Sequence, residues 1–188
     1  VGDLYIKQNN NDKDIIFQSD DQSGGLDTYF YLDGSTGYTR FEREIILEDS
    51  IDLNIGTGQD LRIFHNGTDS AISNNTGNLY IKNETDDKDI IFQSDDGSGG
   101  VKSYFYLDGS IGATIVPDST SLGFGTGGDM YISHNATNTN ITNFTGDLYI
   151  TNKADDKDVI LQSDDGSGGV TAYLTLDGSA GTIEVAKP

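Results

Sequence analysis

Three stretches decide the fold: GDLYIKQNNNDKDIIFQSDD from Gly2, GNLYIKNETDDKDIIFQSDD from Gly77, and GDLYITNKADDKDVILQSDD from Gly146. They are one sequence written three times, at intervals of 75 and 69 residues. Over Asp86–Val101 and Asp155–Val170 the copies differ only at Ile90/Val159 and Phe92/Leu161, apolar for apolar. A second element repeats as well: IGTGQDLRIFHNGT from Ile55 returns as FGTGGDMYISHNAT from Phe124. The six extra residues of the first copy therefore lie between Ser35 and Ile55. The chain divides into repeat 1 (1–76, with an insertion near 36–54), repeat 2 (77–145) and a partial repeat 3 (146–188), which stops before its own GTG segment. Because it also opens on Val1, the chain is expected to be a piece of something longer. A fixed period of this kind is the mark of a repeat architecture, in which a unit too small to build its own core is covered by neighbours.

The pattern inside the repeat is that of strands. Apolar clusters rich in Ile, Tyr, Phe and Leu are bounded by Gly, Asn, Asp and Ser. In repeat 2 the expected strands are 78–82, 89–94, 102–108, 113–116, 121–123, 129–133 and 140–143. Leu79 and Ile81 alternate with Tyr80 and Lys82, as in a half-covered strand, whereas Ile90-Ile91-Phe92 is a continuous apolar run suited to a strand covered on both faces. The stretch Phe41–Glu48 has some helix propensity, but its three consecutive apolar residues fit no amphipathic stripe, and it is read as strand. Turn chemistry supplies the connections at Asp33-Gly34, Asn66-Gly67, Asp96-Gly97, Asp108-Gly109, Asp165-Gly166 and Asp177-Gly178. The expected fold class is all-β: an elongated, repetitive module of short strands, either intertwined as a trimer or coiled as a single-chain β-solenoid.

Composition agrees and excludes much else. The 188 residues include 24 Gly and carry 31 acidic against 11 basic side chains, a net charge of −20. That charge is distributed along the chain as −9, −6 and −5 over the three repeats. So acidic a chain does not neutralise nucleic-acid phosphates or seat on anionic membranes, and no apolar run is long enough for membrane insertion as a helix. Cys is absent, which removes disulfides and thiolate chemistry, and stability is then expected from oligomerisation, bound ions or stacked repeats.

The motifs GDLYIxNxxDDKDIIxQSDDGSGGVxxYLxLDGSxG and GTGxDLxIxHNGTxSxI resemble the repeat modules of tail-fibre and other virion structural proteins of marine bacteriophages, of the cyanophage and pelagiphage type. The residues carrying the resemblance are Gly56–Thr68 and Gly125–Thr137, with the LDGSxG turns Leu32–Gly37, Leu107–Gly112 and Leu176–Gly181. Ala136 departs from the Gly that such modules usually carry. The resemblance implies a homotrimeric virion appendage, extracellular, whose partners are its own copies, neighbouring segments of the same fibre and, at its far end, a host-cell surface glycan. It implies a structural shaft module and no enzyme. The alternatives are a glycan-binding recognition module, with the insertion around Tyr38–Glu48 as its non-repeated surface, and a bacterial surface adhesin or filament.

The candidate chemistry is thin. The acid pairs Asp20/Asp21, Asp95/Asp96 and Asp164/Asp165 are the weak candidates for calcium, together with the nearby Asp12/Asp14, Asp86/Asp87/Asp89 and Asp155/Asp156/Asp158, because hard cations need several oxygen ligands. No calcium-loop motif accompanies them, and no cofactor is expected. Paired carboxylates also serve glycoside hydrolysis. A catalytic site, however, is one preorganised constellation, and these pairs recur in three equivalent turns. His65 and His134 share one repeat position and read as hydrogen-bonding turn residues. The tyrosine rows Tyr5/Tyr80/Tyr149, Tyr29/Tyr104/Tyr173 and Tyr31/Tyr106 suit packing, with sugar stacking as the other use of exposed rings. No catalytic residue is assigned.

Overall fold

In a computed structural model, which describes residues 2–186, the chain is all-β. Among the described residues there is no helix, and fifteen strands form five separate three-stranded sheets. Sheet one comprises β1 (Ile15–Asp20), β2 (Leu26–Leu32) and β3 (Thr39–Phe41); sheet two β4 (Leu53–Ile55), β5 (Leu61–His65) and β6 (Ser70–Asn74). Sheet three comprises β7 (Ile90–Asp95), β8 (Val101–Asp108) and β9 (Ala113–Ile115); sheet four β10 (Ser121–Phe124), β11 (Met130–His134) and β12 (Thr139–Asn143). Sheet five is β13 (Val159–Asp164), β14 (Val170–Asp177) and β15 (Thr182–Val185). Every sheet is an antiparallel meander in chain order. The sheets respect the repeat boundaries, two in each full repeat and one in the partial repeat. The chain separates into two units, Val1–Ile81 and Lys82–Pro188, and inside each unit no strand contacts a strand of another sheet.

Two kinds of sheet alternate. In sheets one, three and five, one face carries an apolar row across all three strands, and in sheet three the other face is apolar too. Phe17, Phe30 and Phe41 are cross-strand partners and stack at centroid separations of 4.3 and 5.8 Å. Phe92 and Phe105 repeat this at 4.4 Å, and Leu161, Leu174 and Val185 hold the equivalent places in sheet five. One residue along, Ile91, Tyr106 and Ile115 align across the opposite face of sheet three. A bulge follows the aromatic position in each first strand, between Phe17/Gln18, Phe92/Gln93 and Leu161/Gln162, and twists each hairpin at the same point. Sheets two and four are one-sided. Leu53-Ile63-Ile72 and Leu122-Ile132-Ile141 form the apolar rows, while Asn54-Arg62-Ser73 and Ser121-Ser133-Asn140 lie on the other face. This is the period-2 alternation of a sheet with one face to cover.

Within each unit, no described strand packs on the face of another sheet. Among the described residues no hydrophobic side chain is buried, and Thr120 is the only buried polar one. The accessible surface is 15199 Å². Two compact units of this total mass would expose about 10,600 Å² together, so about 4,600 Å² remains beyond what self-contained folding leaves.

Six of the seven strands expected in repeat 2 form. The seventh, 78–82, does not, nor do its equivalents in the other repeats: the GDLYI segments pair with no strand of the chain. Their backbone groups have no neighbouring edge to join, so the alternation alone yields no ladder. The stretch 41–48 is a strand only at Phe41 and is otherwise neither helix nor strand. Its three consecutive apolar residues suit neither period, and the Arg43–Asp27 ion pair ties the loop back to β2 instead. The six inserted residues fall in this β3–β4 loop, 42–52, against 116–120 in repeat 2. The Asp-Gly and Asn-Gly pairs also differ from tight two-residue turns. Loops 66–69 and 109–112 have four residues, and Gly112 N–H donates to Asp108 C=O at 3.0 Å.

Ala136 occupies the place of Gly67 with φ of 69°, against 91° for the glycine. The strand pairing survives because Asn135 Oδ1 accepts from the N–H groups of Thr137 and Asn138 at 3.1 and 2.8 Å, as Asn66 does for Thr68 and Asp69 at 2.9 and 2.8 Å. A Cβ in the left-handed region costs about 1 kcal/mol. Ala136→Gly is therefore expected to stabilise the protein by about 0.5–1 kcal/mol after the glycine's greater unfolded freedom is counted. A rise in denaturant midpoint at unchanged slope checks it.

Candidate functional site

The acid pairs singled out in the sequence, together with Asp14, Asp89 and Asp158, are absorbed by recurring turn architecture of three kinds, whereas Asp12, Asp86, Asp87, Asp155 and Asp156 take no part in it. In the first, β1, β7 and β13 end at Asp20, Asp95 and Asp164, and the next aspartate closes the hairpin. Asp96 Oδ1 accepts from Ser98 N–H and Oγ–H, both at 2.7 Å, and from Gly100 N–H at 3.1 Å. Asp165 does the same with Ser167 and Gly169 at 2.7, 2.7 and 3.1 Å. Asp21 does so with Ser23 and Gly25 at 2.8, 2.8 and 2.9 Å. The first acids of the pairs accept singly, Asp20 from Gln22 N–H at 3.2 Å, Asp95 from Gly97 N–H at 3.1 Å and Asp164 from Gly166 N–H at 3.2 Å. Gly97 and Gly166 adopt φ of 80° and 82°, and Gln22 takes the same left-handed place at 68°.

The second piece is the LDGS turn. Asp108 Oδ1 accepts from Ser110 N–H (2.9 Å), Ser110 Oγ–H (2.6 Å) and Ile111 N–H (3.2 Å). Asp33 and Asp177 repeat the arrangement with Ser35/Thr36 and Ser179/Ala180. Asp33 also receives the Arg40 Nε–H at 2.8 Å.

The third piece is a cross-connection that composition did not reveal. Asp14, Asp89 and Asp158 each accept the N–H of a glycine twenty residues on, Gly34, Gly109 and Gly178, at 2.9, 3.0 and 2.9 Å. The two loops approach so closely that a Cβ on any of these glycines would lie under 3.0 Å from the carbonyl oxygen of Lys13, Lys88 or Lys157. The signal was present as the constant twenty-residue spacing between the last Asp of DKD and the Gly of LDG. Turn propensity accounted for that glycine without it. None of the three has a positive φ, so close approach demands them.

These partners set the electrostatics. Hydrogen bonds from Ser23, Ser98 and Ser167, with the backbone N–H donors behind them, hold the carboxyls of Asp21, Asp96 and Asp165 below the ordinary range. The Ser35 hydroxyl, then Arg40, lowers Asp33; the Ser110 hydroxyl lowers Asp108; the Ala180 N–H, then Ser179, lowers Asp177. A carboxyl of lowered proton affinity is a poor general acid near neutrality. Among the described residues, no three His, Asp or Glu side chains converge as a metal-binding group.

A carboxyl that binds its proton less readily folded than unfolded stabilises the fold above its unfolded pKa, near 3.8 here. That contribution is lost as the pH falls through the lower folded value. Stability is thus expected to be level from neutrality to about pH 5 and to fall steeply below about pH 4. Thermal melts across that range check it. Asp108→Asn, which keeps an acceptor oxygen but does not titrate, is expected to shallow the acid limb.

The histidines share a repeat position but not a partner. His65 Nδ1 lies 3.0 Å from Ser70 Oγ and His134 Nδ1 lies 2.8 Å from Asp118 Oδ1. The tyrosine rows separate by role. Tyr29, Tyr104 and Tyr173 donate their hydroxyls to the carbonyls of Asp20, Asp95 and Asp164 at 3.3, 2.8 and 3.0 Å, bracing the hairpin. Tyr5, Tyr80 and Tyr149 lie exposed on the unpaired segments. All three arginines of the chain belong to repeat 1, and each is paired, Arg40 with Asp33, Arg43 with Asp27 and Arg62 with Asp52. The insertion residues Leu47 and Ile51 wall an open groove with Leu53, Ile63 and Ile72.

Comparison of the chain with family models, with curated proteins and with solved structures finds no match.

Proposed function

We propose that the chain is a non-enzymatic structural module of a phage tail fibre or related virion appendage, assembled as a homotrimer and holding a host-attachment element away from the particle. One observation carries the reading: about 4,600 Å² of surface beyond a self-contained fold, with apolar sheet faces that recur with the repeat left exposed. A typical stable interface takes about 800 Å² from each partner, and a copy in a trimer has two such interfaces. The surplus is of obligate-assembly size. The turn carboxylates support the same reading, because Asp21, Asp96 and Asp165, like Asp33, Asp108 and Asp177, are spent on the same turn in each repeat. The antiparallel meanders favour intertwined chains over a solenoid, whose coils stack parallel strands.

Sedimentation or native mass measurement tests the proposal. Three copies per particle is the expected result, and a folded monomer overturns it.

A further inference from the structure

The segments Gly2–Lys7, Gly77–Lys82 and Gly146–Thr151 are the least explained part of the molecule. They are apolar and alternate as strands do, yet among the described residues none of the backbone N–H or C=O groups of 147–151 bonds within the chain. The same holds for 3–7 and 78–82. Their side chains are open to solvent, Leu148 by 49 %, Tyr149 by 80 % and Ile150 by 65 %.

The second and third are not slack linkers. Before the third segment, Asn143 Nδ2 donates to the carbonyls of Thr145 and Gly146, both at 2.9 Å. After it, Asn152 Nδ2 donates to Asp158 C=O at 2.9 Å while its Oδ1 accepts from Ala154 N–H at 3.0 Å. Asn74 and Asn83 clamp the second copy with the same bonds. A run of backbone donors and acceptors held at both ends, with β-prone residues between, is preorganised for strand addition.

We propose that these three segments are interchain strands: each adds to a sheet edge of a neighbouring copy of this chain. This rests on the multi-chain reading above. The occupant is a further copy for three reasons. The surplus surface is several times what one ordinary interface needs, and these residues contribute to it. The segment recurs at the repeat interval, so copies in register present an edge to each one, whereas an unrelated partner would have to share that interval. Charge agrees too: Asp3 and Asp147 balance Lys7 and Lys82, leaving the segments jointly neutral in a chain of −20. Like-charged copies thus meet where repulsion is least. The edges they would join exist, since β13 and β15 flank sheet five and each has one side unpaired.

Amide hydrogen exchange on the assembled protein tests the inference, with mass measured on the same sample. Alternate amides of the segment, either Leu148 and Ile150 or Tyr149, are expected to exchange at least about 100-fold more slowly than an unstructured chain. The amide of Gly168, at the tip of a Gly-rich hairpin and without a hydrogen bond among the described residues, serves as the fast reference. Unprotected segment amides in an oligomer overturn the inference and leave the proposed function standing. A monomer overturns both, whatever its protection. Of Tyr149→Pro and Ile150→Pro, the one at a protected amide removes a bonded donor and keeps an extended backbone, whereas alanine at the same position removes the side chain and keeps the donor. The proline variant is expected to lower the assembly's melting temperature more. An equal loss in the two overturns the hydrogen-bonded form of the contact.

Discussion

Gly109→Ala is expected to unravel sheet three. The added methyl meets the Lys88 carbonyl, a backbone atom that cannot swing aside, and separating the loops breaks the Asp89–Gly109 bond as well. Overpacking against backbone costs about 3 kcal/mol, and the exposed orphaned carboxylate adds little. Gly34 and Gly178 stand in the same vise, so the effect is expected three times, in three sheets. Gly146→Ala is the control. Its φ is 66° and the space around it is open, so its cost is the backbone penalty of about 1 kcal/mol. Denaturant unfolding of the two variants side by side reads the difference. Equal losses would mean that turn conformation, and not close approach, selects glycine at 109.

Ile132→Asp is expected to abolish assembly while leaving the strand pairing of sheet four intact. Ile132 is central in the apolar row between Leu122 and Ile141. If that face meets its equivalents in other copies, the change puts a carboxylate from each copy against apolar surface, at about 3 kcal/mol or more per copy. Ser133→Asp places the same charge one residue along, on the face of Ser121 and Asn140, where water solvates it. Sedimentation is expected to show the first variant dissociated and the second assembled. Two assembled variants would remove this face from the interface.

Much of the architecture was legible in residues 77–145. Six strands lie where the apolar clusters end on Gly, Asn and Asp, because those residues satisfy turn backbones that Ile, Phe and Tyr do not. The LYI segments read identically as strands, and there the reading failed. Alternation reports what a segment can pair with, and pairing needs an edge that this chain does not bring to it. For the Asp20/Asp21, Asp95/Asp96 and Asp164/Asp165 pairs, the weak calcium candidates, composition counted the oxygens without showing which N–H groups they accept from. The Asp14–Gly34 link and its two equivalents bridge twenty residues, a separation at which local propensity carries no information.

The acidic, glycine-rich repeat by itself determined the class of structure: period, turn chemistry and apolar clustering are local properties, and together they leave only short strands joined by tight loops. The tertiary structure decided where the stabilisation is missing. Whether a hydrophobic face is covered depends on what the rest of the chain places against it, and within each unit the described strands of one sheet place nothing on another. Apolar area left in water on that scale is a free-energy deficit that one copy of the chain does not remove, which is why covering by further copies is the reading that the fold supports.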